Sequence, residues 1–115
     1  PAGDHDRLRL RPHPSLALLE SPYPLLAIWQ SNQPGAAERV IDLAEGGDRL
    51  LVCRPLLEVE IERLGAGAYR MLRALADGAR VGAACALAIA DESGFEPGPM
   101  LGRWLSRGVL VEAYL

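Results

Sequence analysis

Apolar and polar positions change rhythm along this chain, and each change marks a new kind of element. "LRLRP" (8–12) alternates leucine with arginine and predicts a short strand or an extended arm. The prolines of "HPSLALLESPYPLLAIWQSNQ" (13–33) predict an extended arm that leads into a short helix. In that helix Leu25, Ile28 and Trp29 fall at i, i+3 and i+4 and form one apolar stripe. Pro24 suits its first turn, where an N–H has no intrahelical use, and "NQPG" ends it.

Three strand signals come next. "RVIDL" (39–43) is short, "EGGD" (45–48) reads as a turn, and "RLLVCRP" (49–55) is an apolar run too short for a helix. In "LEVEIERL" (57–64) Leu57, Val59 and Ile61 alternate with Glu58, Glu60 and Glu62, which predicts one buried face and one carboxylate face. Together these signals predict a meander of antiparallel strands. Three helices follow. The first places Ala68, Met71, Leu72 and Leu75 on one side and Gly78 at the C-terminal cap. The second has Val81, Ala84, Cys85 and Ala88 on one face. The third runs Met100, Leu101, Trp104 and Leu105 and stops at Gly108. "VLVEAYL" (109–115) predicts a closing strand. The order gives an α+β, winged-helix-like domain over residues 8–115, after a polar, disordered end at residues 1–7.

Composition narrows the function classes. With 115 residues, half of them hydrophobic, one domain can bury a core without disulfides or metals. Every one of the 12 basic residues is arginine, against 15 acidic residues, so the balance of −3 argues against a nucleic-acid binder. Cys53 and Cys85 sit in apolar contexts that fit buried free thiols and a reducing cytoplasm. The chain carries no phosphate loop, no zinc-protease motif, no CxxC and no Ser/His/Asp set, so a catalytic role and a cofactor are not expected. His5 could ligate a metal with Asp4 and Asp6, or belong to a solvated acidic end. His13, next to Pro12 and Pro14, suits a positioned hydrogen bond.

Two resemblances carry the reading further. From Val40 onward the meander, then "L..L.dG" at Leu72–Gly78, a small-residue helix and "L...L..RGVL" at Leu101–Leu110, resembles the PqqD-type peptide-recognition domain. The front half, "LRPHPSLALLESPYPLLAIWQSNQ" followed by "IDLAEGGDRLLVCRP", closely resembles the C-terminal half of HvfC/BufC-type proteins, with the MbnC subunit a more distant cousin. This likeness spans residues 8–115. The family's DNA-binding label belongs to its helical N-terminal half, which is expected to be absent here. There is also no initiator Met.

The resemblance implies a non-catalytic partner subunit in the cytoplasm. It would recognise a ribosomally made precursor peptide and present it to an iron-dependent enzyme of the HvfB/BufB type. The peptide would add to the edge of the last meander strand, at Glu58, Val59, Glu60, Ile61 and Glu62. It would lie against the third helix, where Met100, Arg103, Trp104 and Arg107 line or rim the groove. At helical spacing, Met100 and Trp104 also fit a core, and the two arginines a solvated face. Tyr23 and Trp29 are candidates for the partner interface, or Trp29 packs on its own meander. Two rivals stay open: a DNA-binding winged helix that reads with Pro97–Arg107, and a structural module that braces the enzyme. No apolar run is long enough to span a membrane.

Overall fold

The computed structural model describes residues 7–35 and 47–115. The order is β1 (Arg9–Pro12), β2 (Ala17–Ser21), α1 (Leu25–Ser31), β3 (Asp48–Cys53), β4 (Glu60–Arg63), α2 (Ala66–Ala76), α3 (Val81–Asp91), α4 (Pro97–Ser106) and β5 (Leu110–Tyr114). The architecture is α+β, with antiparallel strands in two sheets, and it is compatible with a small winged-helix-like domain.

The three-stranded sheet runs β2-β3-β4, and β1 pairs with β5 as a separate ribbon. The first strand of the three is therefore Ala17–Ser21, within the segment expected to be an extended arm. Pro14 and Pro22 bound this strand, and within it Leu18 packs on the helical core while Leu19 faces the other way. The expected strand at Arg39–Leu43 lies outside the described residues, as do His5 and its two aspartates. The polar end expected over residues 1–7 also lies outside them, apart from Arg7.

The core forms where β3 meets the helices. Leu51 and Cys53 on one face of β3 pack with Met71, Leu72 and Leu75 of α2, Trp104 of α4, and Val109 and Leu110 beyond it. Ala84 and Ala88 of α3 are fully buried, and their small side chains let α3 lie close against α2. Two helices end as expected on glycines with positive φ. At Gly78 (φ 92°) the N–H of Ala79 donates to the Ala74 carbonyl and that of Gly78 to Leu75. At Gly108 (φ 79°) Val109 and Gly108 donate in the same way to Trp104 and Leu105. This is the six-to-one and five-to-two pattern that only a left-handed residue permits, and each time it turns the chain back into the core.

Among the described helices, no N-terminus is capped by its own preceding side chain. Distant carboxylates do this for two of them. Glu92 Oε1 accepts from Gly67 N–H at 2.9 Å and so satisfies the first turn of α2. Asp48 Oδ2, from the start of β3, accepts from Leu26 N–H at 2.8 Å at the first turn of α1. The other Asp48 oxygen lies 2.8 Å from Arg63 Nε at the end of β4. One buried carboxylate thus ties α1, β3 and β4 together.

His13 holds a turn, as its neighbouring prolines suggested. Its Nδ1 accepts from Ser15 N–H at 3.0 Å and lies 2.8 Å from Ser15 Oγ. Ser15 Oγ in turn accepts from Arg54 N–H at 2.7 Å, which fastens the β1–β2 turn to the end of β3.

Candidate peptide-binding edge

β4 stands at one end of the three-stranded sheet. Leu64 N–H donates to the Arg49 carbonyl at 2.8 Å, and the register pairs Leu51 with Glu62 and Cys53 with Glu60. Main-chain groups of a strand alternate in direction. Glu62 and Glu60 therefore turn theirs towards β3, while Ile61 and Arg63 turn theirs outward. Among the described residues no main-chain partner meets that outer edge.

The strand is shorter than the sequence pattern suggested, and its two faces are exchanged. Only Glu60–Arg63 is strand. The preceding segment bends, with Arg54 Nε donating to the Leu57 carbonyl at 3.1 Å. Leu57 is 84% exposed and Val59 53% exposed, so neither reaches a core. Glu60 and Glu62 lie on the core side of the sheet because their cross-strand partners are the buried Cys53 and Leu51. The carboxylates tolerate that position because α4 brings two guanidinium groups to them.

Arg107 binds Glu62 Oε2 through Nη1 at 2.8 Å and Glu60 Oε1 through Nη2 at 2.7 Å. Arg103 Nη2 meets the other Glu62 oxygen at 2.8 Å. The hydrogen bond that Arg107 donates to Glu60 is the main cause that raises the Arg107 pKa above its ordinary value. Burial opposes it, and Glu62 adds a further bond and favourable charge. Four of the residues expected to line a peptide groove are thus brought together, and they are bonded to one another.

The remaining candidates separate. Trp104 is fully buried among Leu51, Met71 and Leu72, so it is core and not groove wall. Its indole Nε1 has no hydrogen-bond partner among the described residues. Met100 is half-buried against the same core. Glu58 is exposed and, with Leu56, Leu57 and Glu60, borders a shallow hollow beside β4. Tyr23 and Trp29 lie at the surface, 52% and 43% exposed.

The opposite face of the sheet holds a feature that sequence reasoning missed. Leu19 of β2, Val52 of β3 and Ile61 of β4 share that face, and α1 stands over it with Leu25, Ile28 and Trp29. The result is an apolar cleft of about 400 Å³ whose far wall, Ile61, belongs to the outer edge of β4. The stripe Leu25, Ile28 and Trp29 was legible. Leu19 is hidden in a leucine run, and Asp48, which anchors α1 above the cleft, falls in a sequence pattern that signals a turn. An aspartate directly before an apolar strand run was the available signal.

No protein-family model and no curated protein matches this chain.

Proposed function

We propose that this chain is a non-catalytic peptide-recognition subunit, which takes a segment of a ribosomally made precursor peptide as an added strand on β4. The bound precursor would then be presented, in the cytoplasm, to an iron-dependent modifying enzyme of the HvfB/BufB type, as the family resemblance implies. One observation carries it: β4 ends a sheet with the main-chain groups of Ile61 and Arg63 turned outward. An extended peptide satisfies such groups with its own N–H and C=O groups, which gives affinity without demanding a particular sequence. Exposed Leu57 and Val59 just before β4 add apolar surface to the same approach.

The DNA-binding alternative is less well supported. The two cations of α4 that would meet phosphates are already engaged by Glu60 and Glu62, which also place negative charge beside that helix. The enzyme-bracing alternative would draw on Tyr23 and Trp29 as interface anchors.

The test is a titration of the chain with the leader segment of the precursor encoded beside it. Saturable binding is expected, and replacement of Ile61 by proline abolishes it. Proline deletes a donor that faces away from β3, so the sheet itself keeps its ladder. Ile61→Val retains that donor and retains binding. A leader that binds Ile61→Pro as tightly as the parent chain would remove strand addition as the mode. Co-purification of the enzyme with the chain after deletion of the leader would favour bracing.

A further inference from the structure

We infer that the added strand is read on the α1 face of the sheet: the peptide carries large apolar side chains at every second position, which enter the cleft beneath Trp29, with basic or neutral polar residues between them. This rests on the strand-addition reading above and goes beyond it, because it assigns the specificity site and the chemistry of the peptide.

The two faces beside β4 differ in what they can accept. On the α4 face Arg107 and Arg103 hold Glu60 and Glu62 at 2.7–2.8 Å. A side chain that entered there would have to break charge-assisted bonds at a partly dry site. On the α1 face the Arg63–Asp48 ion pair lies outside the cleft lining, and within the cleft Leu19, Ile28, Trp29, Val52 and Ile61 present apolar surface, with Leu19 and Trp29 each 43% exposed.

The outer edge of β4, which no main-chain partner meets among the described residues, says what kind of chain fits. Ile61 is at once a wall of the cleft and the residue whose main chain faces outward. A strand laid beside β4 at the usual spacing of about 4.8 Å would satisfy the outward groups. It would also place alternate side chains on the Ile61 side, next to the cleft, whichever direction it ran. A helix seated in the same cleft would satisfy its own main chain and leave the edge of β4 bare. The intervening peptide positions face Glu60, with Glu58 nearby. Three carboxylates, at 58, 60 and 62, stand against two guanidinium groups there, so the local balance favours basic over acidic residues.

The experiment is selection of random ten-residue peptides displayed on phage against the full chain, followed by affinity measurement on synthetic copies of the enriched sequences. The expected sequences alternate apolar and polar residues, with lysine or arginine outnumbering aspartate and glutamate at the polar positions. Trp29→Ala and Leu19→Ser should each weaken binding, by about thirtyfold for the tryptophan, as for a central aromatic anchor. Both side chains are part-exposed, so both variants should keep the parent's thermal transition to within a few degrees, which is checked first. Enriched peptides that lose binding on Ile61→Pro yet ignore Trp29→Ala and Leu19→Ser would overturn the α1-face assignment and leave strand addition standing. Apolar spacing of three and four residues would replace the strand by a helix and overturn the inference. Failure to enrich any peptide overturns both readings.

Discussion

Replacing Asp48 by alanine tests how α1 is held over the sheet. The Asp48 side chain is only 3% exposed, and it accepts from Leu26 N–H and from Arg63 Nε, both at 2.8 Å. The Leu26 bond acts as a helix cap supplied from a distance, and loss of a capping side chain costs about 0.5–2 kcal/mol. Arg63 is 55% exposed, so its half of the interaction is partly screened and contributes about 1 kcal/mol. The sum is about 1.5–3 kcal/mol. Unfolding entropies of about 2.1 cal/mol/K per residue give a chain of 115 residues a shift of about 4 °C per kcal/mol. A fall of about 6–12 °C in Tm is therefore expected, with a matching loss in urea denaturation followed by far-UV circular dichroism. Asp48→Asn keeps one acceptor for Leu26 and should fall between the two. A double-mutant cycle with Arg63→Ala should return about 1 kcal/mol of coupling. A loss for Asp48→Ala below about 0.5 kcal/mol, the size of an ordinary surface change, would refute the anchoring role.

Three other outcomes follow from the packing. Gly67→Ala would bring a Cβ within 2.8 Å of the Phe95 ring and 3.1 Å of Glu92 Cβ, beside the cap bond to Gly67 N–H. Despite the gain in helix propensity, a net loss of about 1–2 kcal/mol is expected in chemical denaturation. Arg107→Ala leaves Glu62, whose side chain is 14% exposed, with Arg103 alone and should cost about 1–2 kcal/mol, between the values for exposed and buried pairs. Lysine at 107 should rescue little, since one ammonium cannot replace a fork that holds two carboxylates. The raised Arg107 pKa means that this contribution is fully present below the ordinary arginine range and is lost only above it. The Arg107→Ala difference should therefore stay constant through mildly alkaline titration. Acrylamide should quench the fluorescence of Trp29, which is 43% exposed, and leave that of Trp104, which is buried; Trp29→Phe should abolish the quenchable component.

Much of the helical half was legible because its periodicity reports burial directly. Ala68, Met71, Leu72 and Leu75 recur at helical spacing, and all four are buried in α2. Gly78 and Gly108 end their helices because positive φ excludes most other residues. The sheet was harder to read. Alternation in "LEVEIERL" fixed which residues share a face but not which face is inside. Burial of the glutamate side became possible through Arg103 and Arg107, some forty residues downstream, and no local pattern encodes such a pairing. The same limit hid the cleft. Its walls come from β2, α1, β3 and β4, and only the α1 stripe is visible within a single window. Trp104 illustrates the ambiguity of a helical apolar residue: its spacing fits core and groove equally, and only packing assigns it to the core.

Strand addition at β4 is tested most directly by amide hydrogen exchange on the full chain, read residue by residue with and without the leader peptide. The N–H groups of Glu60 and Glu62 point towards β3 and should be protected in both states, whereas those of Ile61 and Arg63 face outward and should exchange freely in the unbound chain. Binding is expected to protect Ile61 and Arg63 selectively. Saturated binding that leaves both amides exchanging at their free rates would contradict strand addition at this edge.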